Sequence, residues 1–313
     1  MFKVIWTNDP PPEHYAPLHG LADVTTGPPV GAQMSRGEVL EQAGECDAIV
    51  NQAELRVDRE LLDAAPRLKV VANVAIGTDN FDLEAMRERG VIGTNAPEAF
   101  TESTADATMG VLLSVARRLN RADRYVRSGR WAEDGFQPGI WDGMELSEKI
   151  FGILGFGRIG QAVAHRAKAF GMEVRFHDPR VLDDPRARPF DEVLESSDVL
   201  SLHLPLKAKT QGLIGRSRLR RMKQGAILLN LSRGPVVDLE ALAEALRDGP
   251  LGGAGLDVFD GEPHLPSAIT DLPNVALSPH LGGGTRESRK RARLTAAENI
   301  ARVLRGESPT NPV

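Results

Sequence analysis

Cysteine is nearly absent: Cys46 is the only one in 313 residues. This excludes an internal disulfide and a cysteine-rich zinc site, and it fits a reducing compartment. Long apolar runs are missing too, since no stretch approaches the ~20 residues of a membrane span. The N-terminus Met-Phe-Lys-Val-Ile-Trp has one basic residue and lacks the apolar segment of a secretory leader. A cytoplasmic protein with no membrane partner is expected. Neither sign of charge dominates: the formal net charge is -5, with acidic and basic residues interspersed and only Arg286 to Arg293 locally basic. No nucleic-acid partner is expected. No His, Asp or Glu cluster has metal-ligand spacing, so no metal is expected. Internal repeats and low-complexity tracts are also absent.

What is present begins with length, which exceeds a usual single core and favours two domains of about 100–200 residues. Short strand-like runs at Lys3–Thr7, Ala48–Val50, Leu68–Ala72 and Val91–Thr94 alternate with helix-like segments such as Asp58–Ala65 and Asp82–Arg89. They read as a small α/β domain. A helix follows from about Thr101, with Thr101 or Ser103 as its N-cap. After a loop holding Trp131 and Trp141, strands at Ile150–Leu154, Val174–His177, Val199–Leu202, Ala226–Asn230, Gly253–Leu256 and Val275–Leu277 alternate with helical segments. That alternation predicts a parallel sheet wound on both faces. A last helix from about Thr285 to Leu304 returns to the first domain. The expected division is 1–99 with 285–313, and 100–284.

Ile150–Leu154 runs into Gly155-Phe156-Gly157-Arg158-Ile159-Gly160, and a helix continues from Gln161. In this strand-loop-helix setting the first glycine makes the turn, the second lets the backbone approach a pyrophosphate, and the third lets helix and strand pack closely. The N–H groups at the helix start then bind phosphates. Asp178, ending the next strand, can accept hydrogen bonds from the adenosine ribose, and its charge disfavours a 2′-phosphate. NAD is the expected cofactor, with NADH preferred over NADPH. His203-Leu204-Pro205 follows a strand at the carboxyl edge of the sheet, where dinucleotides lie, and is expected to touch the cofactor. Thr104, Thr210, Leu231, Ser232, Asp257, Gly282 and Gly283 complete the expected cofactor contacts, with Asp257 facing the nicotinamide carboxamide.

Three ionisable residues follow strand-like runs near the end of the chain: Arg233, Glu262 and His280. Reduction of a 2-keto acid needs such a set, because the substrate offers a carboxylate to clamp and a carbonyl oxygen to protonate. His280 is the expected acid, Glu262 orients it and raises its pKa, and Arg233 holds the substrate through its planar fork. The loop Ala75-Ile76-Gly77-Thr78 can point N–H groups at a carboxylate in the manner of an anion nest. His14, His19, His165, His177 and His264 have no motif around them and read as surface or packing residues.

These residues resemble the D-isomer-specific 2-hydroxyacid dehydrogenase family, from Asn73-Val74-Ala75-Ile76-Gly77-Thr78-Asp79-Asn80-Phe81-Asp82 to Gly306-Glu307-Ser308-Pro309. Within it the chain is most similar to glyoxylate/hydroxypyruvate reductases, through Phe156 to Ala162 and Ala254-Gly255-Leu256-Asp257-Val258-Phe259. The resemblance implies a Rossmann-type doubly wound cofactor domain inserted into a smaller flavodoxin-like α/β substrate domain, with the active site in the cleft between them. It assigns Arg233, Glu262 and His280 the roles given above. It also implies a homodimer that uses the helix after residue 101 and the loop before the glycine motif. The implied activity is NADH-dependent reduction of glyoxylate or hydroxypyruvate to the D-2-hydroxy acid. A D-3-phosphoglycerate dehydrogenase-like enzyme is the nearer alternative and a non-catalytic NAD-sensing corepressor-like scaffold the more distant one. The absence of a cation between Asn73 and Gly77 disfavours a phosphorylated substrate.

Overall fold

The computed structural model describes residues 1–29 and 31–313. The chain divides into two compact units, Met1–Phe100 with Thr285–Val313, and Thr101–Gly284.

In the first unit the strands β1 (Phe2–Trp6), β2 (Ala22–Thr26), β3 (Ala48–Asn51), β4 (Val70–Asn73) and β5 (Ile92–Thr94) form one sheet in the order β2-β1-β3-β4-β5. All its pairings are parallel. This is the flavodoxin-like order. Alternation decides the two faces. Val4, Trp6, Val50, Val70 and Ala72 pack with Ala292, Ala296 and Ile300 of the terminal helix Arg286–Leu304, whose small side chains let it lie close to the sheet. Ile5, Ile49 and Val71 face α2 (Arg59–Ala64) and α3 (Leu83–Glu88) across the other side. Both helices begin at aspartate caps, Asp58 accepting from the Leu61 N–H and Asp82 from the Ala85 N–H, each worth about 1 kcal/mol. Cys46 lies buried in this unit, and burial pushes its thiol up to about 11, so it is a packing residue.

The second unit opens with α4 (Thr101–Ala116), α5 (Leu119–Arg127) and α6 (Arg130–Asp134). It continues as β6 (Ile150–Leu154), α7 (Arg158–Ala169), β7 (Glu173–His177), α8 (Phe190–Ser196), β8 (Val199–Leu202), α9 (Arg216–Leu219), β9 (Ile227–Asn230), α10 (Leu239–Arg247), β10 (Gly253–Leu256), α11 (Ser267–Thr270) and β11 (Val275–Leu277). The six strands are parallel in the order β11-β10-β9-β8-β6-β7. A single parallel bridge from Phe176 to Ala187 stands where the Rossmann arrangement has a further strand outside β7. One layer of helices seals Leu154, Leu200, Leu228 and Leu256, and the other seals Phe151, Ile153, Phe176 and Leu229.

Three local expectations are corrected. Edge strand β2 escapes the sequence pattern because only Ala22 of its five residues is buried, which leaves no apolar run to see. The segment with Trp131 is not a loop, because two short helices, α5 and α6, occupy it. Thr101 is the first residue of α4 and Ser103 lies in its first turn, so neither stands outside the helix as a cap. The Thr101 hydroxyl is buried and has no hydrogen-bond partner among the described residues.

Candidate active site

The glycine loop has a separate physical reason at each glycine. Gly155 turns at φ 93°, and a Cβ there would lie 2.3 Å from the His203 carbonyl oxygen. A Cβ on Gly160 would lie 2.3 Å from the Gly155 carbonyl oxygen, so helix α7 can close on the turn only without a side chain. Gly157 is different. It is the N-cap of α7, and a Cβ there would meet nothing within 4 Å, which leaves this backbone open to a ligand. Open N–H groups at the start of a 12-residue helix favour a phosphate. Phe156 stacks on Phe176 at 3.6 Å and accepts from Gln161 Nε2 through its carbonyl at 3.0 Å. Ile159 packs on the core beneath, and Arg158 opens the helix. The cradle fits a dinucleotide pyrophosphate.

Asp178 is more occupied than the sequence suggests. Its Oδ2 accepts from the Phe156 N–H at 2.9 Å and from Arg180 Nη2 at 2.9 Å. Its Oδ1 accepts from the Arg180 N–H at 3.0 Å and Arg180 Nε at 3.1 Å. Hydrogen bonding from Arg180 leads the causes that hold the carboxyl down at about 2. A ribose must therefore compete with Arg180, whose side chain is 77% exposed and so can swing out into solvent.

The loop after β8 approaches the glycine turn. His203 pairs through Nε2 with Ser201 Oγ at 2.9 Å, its Nδ1 is buried without a partner among the described residues, and burial lowers its pKa to about 4. It is a neutral imidazole, unsuited to act as the acid. The Leu204 side chain lies 3.1 Å from where a Gly155 Cβ would stand. Thr210 does not present a free hydroxyl: its Oγ1 donates to the Pro205 carbonyl at 2.7 Å and accepts from the Lys207 N–H at 2.8 Å, closing the loop on itself.

At the carboxyl edge of β9, β10 and β11 the structure brings Arg233, Glu262 and His280 together. Buried Asn230 ends β9 and shapes the next turn, accepting from the Ser232 N–H at 3.1 Å and Ser232 Oγ at 2.8 Å and donating to the Arg233 carbonyl at 3.0 Å. Leu231 and Ser232 are buried beside it. Arg233 Nη1 donates to the Ser232 carbonyl at 2.8 Å. Gly234 then passes so close to the Phe259 backbone that a Cβ would lie 1.9 Å from its carbonyl carbon. That approach draws the arginine loop onto the glutamate loop. Glu262 accepts from the Phe259 N–H through Oε1 at 2.8 Å, and its Oε2 meets His280 Nδ1 at 2.9 Å.

His280 sits at φ 52°, left-handed backbone that a non-glycine residue seldom adopts. Asp257 holds it there. The Asp257 carbonyl accepts from the His280 N–H at 2.9 Å, Oδ1 accepts from Ser278 Oγ at 2.6 Å and the Leu281 N–H at 2.8 Å, and Oδ2 accepts from the Gly282 N–H at 2.8 Å. Both carboxylate oxygens of Asp257 are bound to the histidine loop, and Oδ2, with a single bond, keeps a further acceptor site of the kind the expected carboxamide contact needs. Asp257, Ser278 and Asn230 are thus positioning residues, and only tertiary contacts reveal the last two. Gly282 and Gly283 follow the histidine, and a Gly282 Cβ would lie 3.5 Å from Thr104 of α4.

The electrostatics favour the protonated form of His280. The hydrogen bond that His280 donates to Glu262 raises the pKa of His280 against the effect of burial. Burial pushes Glu262 up, but its hydrogen bonds with His280 and the Phe259 N–H outweigh this and leave it lowered. The Arg233 charge acts on both partners. The expected consequence is that Glu262→Gln removes the stabilised imidazolium. The pH above which reduction fails then moves down, and a pH–rate profile checks it.

In the first unit, the loop after β4 is held by its carbonyls. Those of Ala75, Ile76 and Gly77 accept from the Ala96 N–H at 2.9 Å, Asn95 Nδ2 at 2.7 Å and Asn73 Nδ2 at 2.9 Å. The N–H groups of these three residues donate to no acceptor among the described residues. No residue from 75 to 78 has positive φ, so this is a row of open donors rather than a left-handed nest.

A parallel sheet with a pyrophosphate cradle at its switch point and a carboxylate-paired histidine at the same edge defines a dinucleotide-dependent oxidoreductase. The chain belongs to the D-isomer specific 2-hydroxyacid dehydrogenase family, whose NAD-binding-domain model matches residues 109–282. It is 44% identical over 286 residues to a glyoxylate reductase of Thermococcus litoralis, covering 89% of this chain and 86% of that one. It is 43% identical over 289 residues to a glyoxylate reductase of Korarchaeum cryptofilum, covering 90% and 87%. Among solved structures, a Thermus thermophilus protein superposes with a TM-score of 0.94 at 42% identity over the whole of both chains. An NADPH-dependent glyoxylate/hydroxypyruvate reductase of Sinorhizobium meliloti, solved with NADP and malonate, gives 0.88 at 29% identity, covering 100% of this chain and 96% of that one. Among the described residues no helix is long and apolar enough to cross a membrane.

Proposed function

We infer that this enzyme reduces a small 2-keto acid, glyoxylate or hydroxypyruvate, to the D-2-hydroxy acid with NADH, with His280 as proton donor. The 2.9 Å contact between His280 Nδ1 and Glu262 carries the reading, because it leaves Nε2 as the ring position able to protonate a substrate oxygen. The names of the archaeal relatives support the substrate class. Unit Thr101–Gly284 is the cofactor domain in this reading, and the other unit binds substrate.

The nicotinamide cofactor supplies hydride to the carbonyl carbon. The protein's part is to accommodate the charge that develops on the oxygen. Arg233 binds the substrate carboxylate and carbonyl through its planar fork, and in the other unit the open N–H groups of Ala75, Ile76 and Gly77 are donors suited to a carboxylate. His280 gives its proton to the oxygen as charge builds, and Glu262 stabilises the imidazolium before the transfer. Gly155 to Gly160 hold the pyrophosphate, and Thr104, His203, Leu204, Pro205, Leu231, Ser232, Gly282 and Gly283 line the remaining path of the cofactor.

Steady-state kcat/KM for glyoxylate, hydroxypyruvate and 3-phosphohydroxypyruvate tests the substrate class. The expected order places the phosphorylated compound last, and a preference for it would overturn the reading in favour of a phosphoglycerate dehydrogenase. Cofactor choice follows from charge beside the ribose. NADH is preferred, Asp178→Ser lowers that preference, and Arg180→Ala raises it by removing the cation nearest the carboxylate. Equal kcat/KM for NADH and NADPH in the unaltered enzyme counts against it. A homodimer through α4 and the loop before the glycine motif is also part of the proposal, supported by exposed Val126, Trp131, Phe136 and Ile140 in the segment that follows α4.

A further inference from the structure

The loop after β4 owes its open donors to three anchors on its carbonyls. In a planar trans peptide the N–H of one residue points away from the C=O of the residue before it. Fixing the carbonyls of Ala75, Ile76 and Gly77 therefore turns the N–H groups of Ile76, Gly77 and Thr78 away from the anchors. Two anchors, the Ala96 N–H and Asn95 Nδ2, come from the segment after β5. The third is Asn73 Nδ2, which donates to the Gly77 carbonyl at 2.9 Å. The Thr78 N–H, which this last anchor turns outward, donates to no acceptor among the described residues.

Asn73 is the last residue of β4 and is fully buried, where an amide is costly unless it is hydrogen-bonded. Its Nδ2 also donates to Asn80 Oδ1 at 2.7 Å. Asn80 Nδ2 donates in turn to the Leu55 carbonyl at 2.8 Å and to Asn73 Oδ1 at 3.3 Å. A carbonyl can only accept, and one stands at each end of this pair. Both amides therefore have a single permitted orientation, with nitrogen toward Gly77 and toward Leu55. Backbone bonds brace the frame, since the Val57 N–H donates to the Asn80 carbonyl at 2.9 Å and the Val74 N–H to the Asn51 carbonyl at 2.8 Å. The network runs in one direction, and it delivers a donor to the Gly77 carbonyl.

We propose that Asn73 is a positioning residue for the substrate: through the Gly77 carbonyl it aims the Thr78 N–H, beside those of Ile76 and Gly77, at the substrate carboxylate. The assignment rests on the reading above, in which this loop meets that carboxylate. Asn73 acts only through the peptide it holds. Aspartate has the same shape but no donor, and it would set a negative charge against the Gly77 carbonyl. The Gly77–Thr78 peptide would then be released and its N–H lost to the substrate.

Oxamate carries the carboxylate of glyoxylate with an amide in place of the aldehyde, so it binds without being reduced. Its titration into the full-length enzyme with NADH bound is followed by calorimetry, with KM and kcat for glyoxylate measured in parallel. Asn73→Asp is expected to raise the oxamate Kd and the glyoxylate KM about tenfold, the worth of one hydrogen bond to a charged group. The Kd for NADH stays unchanged, and kcat changes less than KM. Asn73→Ala buries no charge and supplies the same readout if the aspartate prevents folding. Asp58→Ala, which uncaps α2 in the same unit, lowers Tm and leaves the oxamate Kd and glyoxylate KM in place. Unaltered oxamate affinity in the Asn73 variants, a loss confined to kcat, or an equal rise in Kd in Asp58→Ala would overturn the assignment alone. An unaltered enzyme that neither binds oxamate nor reduces glyoxylate would overturn the substrate reading and this assignment with it.

Discussion

His280→Ala lowers kcat/KM for the keto acid by about 10²–10⁴, the usual contribution of general acid catalysis, and leaves the dissociation constant for NADH nearly unchanged. The separation follows from geometry. His280 bonds to Glu262 and is held by Asp257, and neither contact belongs to the pyrophosphate cradle. Arg233→Lys is expected to act in the same direction, because a point charge cannot replace a planar fork that meets carboxylate and carbonyl together. Stopped-flow single turnover together with NADH titration separates chemistry from binding. Turnover near that of the unaltered enzyme in either variant removes that residue from the mechanism.

Gly234→Ala is expected to damage the enzyme through its backbone. The added Cβ would lie 1.9 Å from the Phe259 carbonyl carbon and 2.4 Å from the Asp260 nitrogen. These are main-chain atoms that cannot rotate away, so the arginine loop must part from the glutamate loop. The cost is about 1–3 kcal/mol of stability, as for overpacked sites, with a larger loss of kcat because Arg233 and Glu262 no longer hold their relative positions. Gly157→Ala provides the contrast. Its Cβ meets nothing within 4 Å and its φ of -75° suits alanine, so folding is spared while KM for the cofactor rises. Thermal unfolding and cofactor KM, measured on both variants, check the pair. A Gly234→Ala enzyme with unaltered Tm and kcat contradicts the close-approach account.

Strongly patterned elements are legible in the amino-acid sequence. Buried parallel strands such as Ile150–Leu154, Val199–Leu202 and Gly253–Leu256 are short apolar runs ending in glycine or polar turns, and burial on both faces writes them plainly into the chain. Edge strand β2 and helices α5 and α6 are not, because mostly exposed elements need no apolar signature. The site divides in the same way. Arg233, Glu262 and His280 stand out as ionisable residues at turns. Ser278 and Asn230 carry no such signal, and they matter only because the fold puts Ser278 Oγ 2.6 Å from Asp257 and Asn230 against the turn of Arg233.

From sequence alone follow the parallel α/β class, the cofactor cradle and the three chemically competent residues, because periodicity, glycine spacing and side-chain chemistry are local properties. Only tertiary structure decides that Asp257 is an anchor for the histidine loop, that Arg180 already occupies Asp178, and that Asn80 links the Asn73 amide to the Leu55 carbonyl. These depend on which distant segments meet. A hydrogen bond or a charge cluster acts over a few ångströms of space, and separation along the chain does not measure that distance.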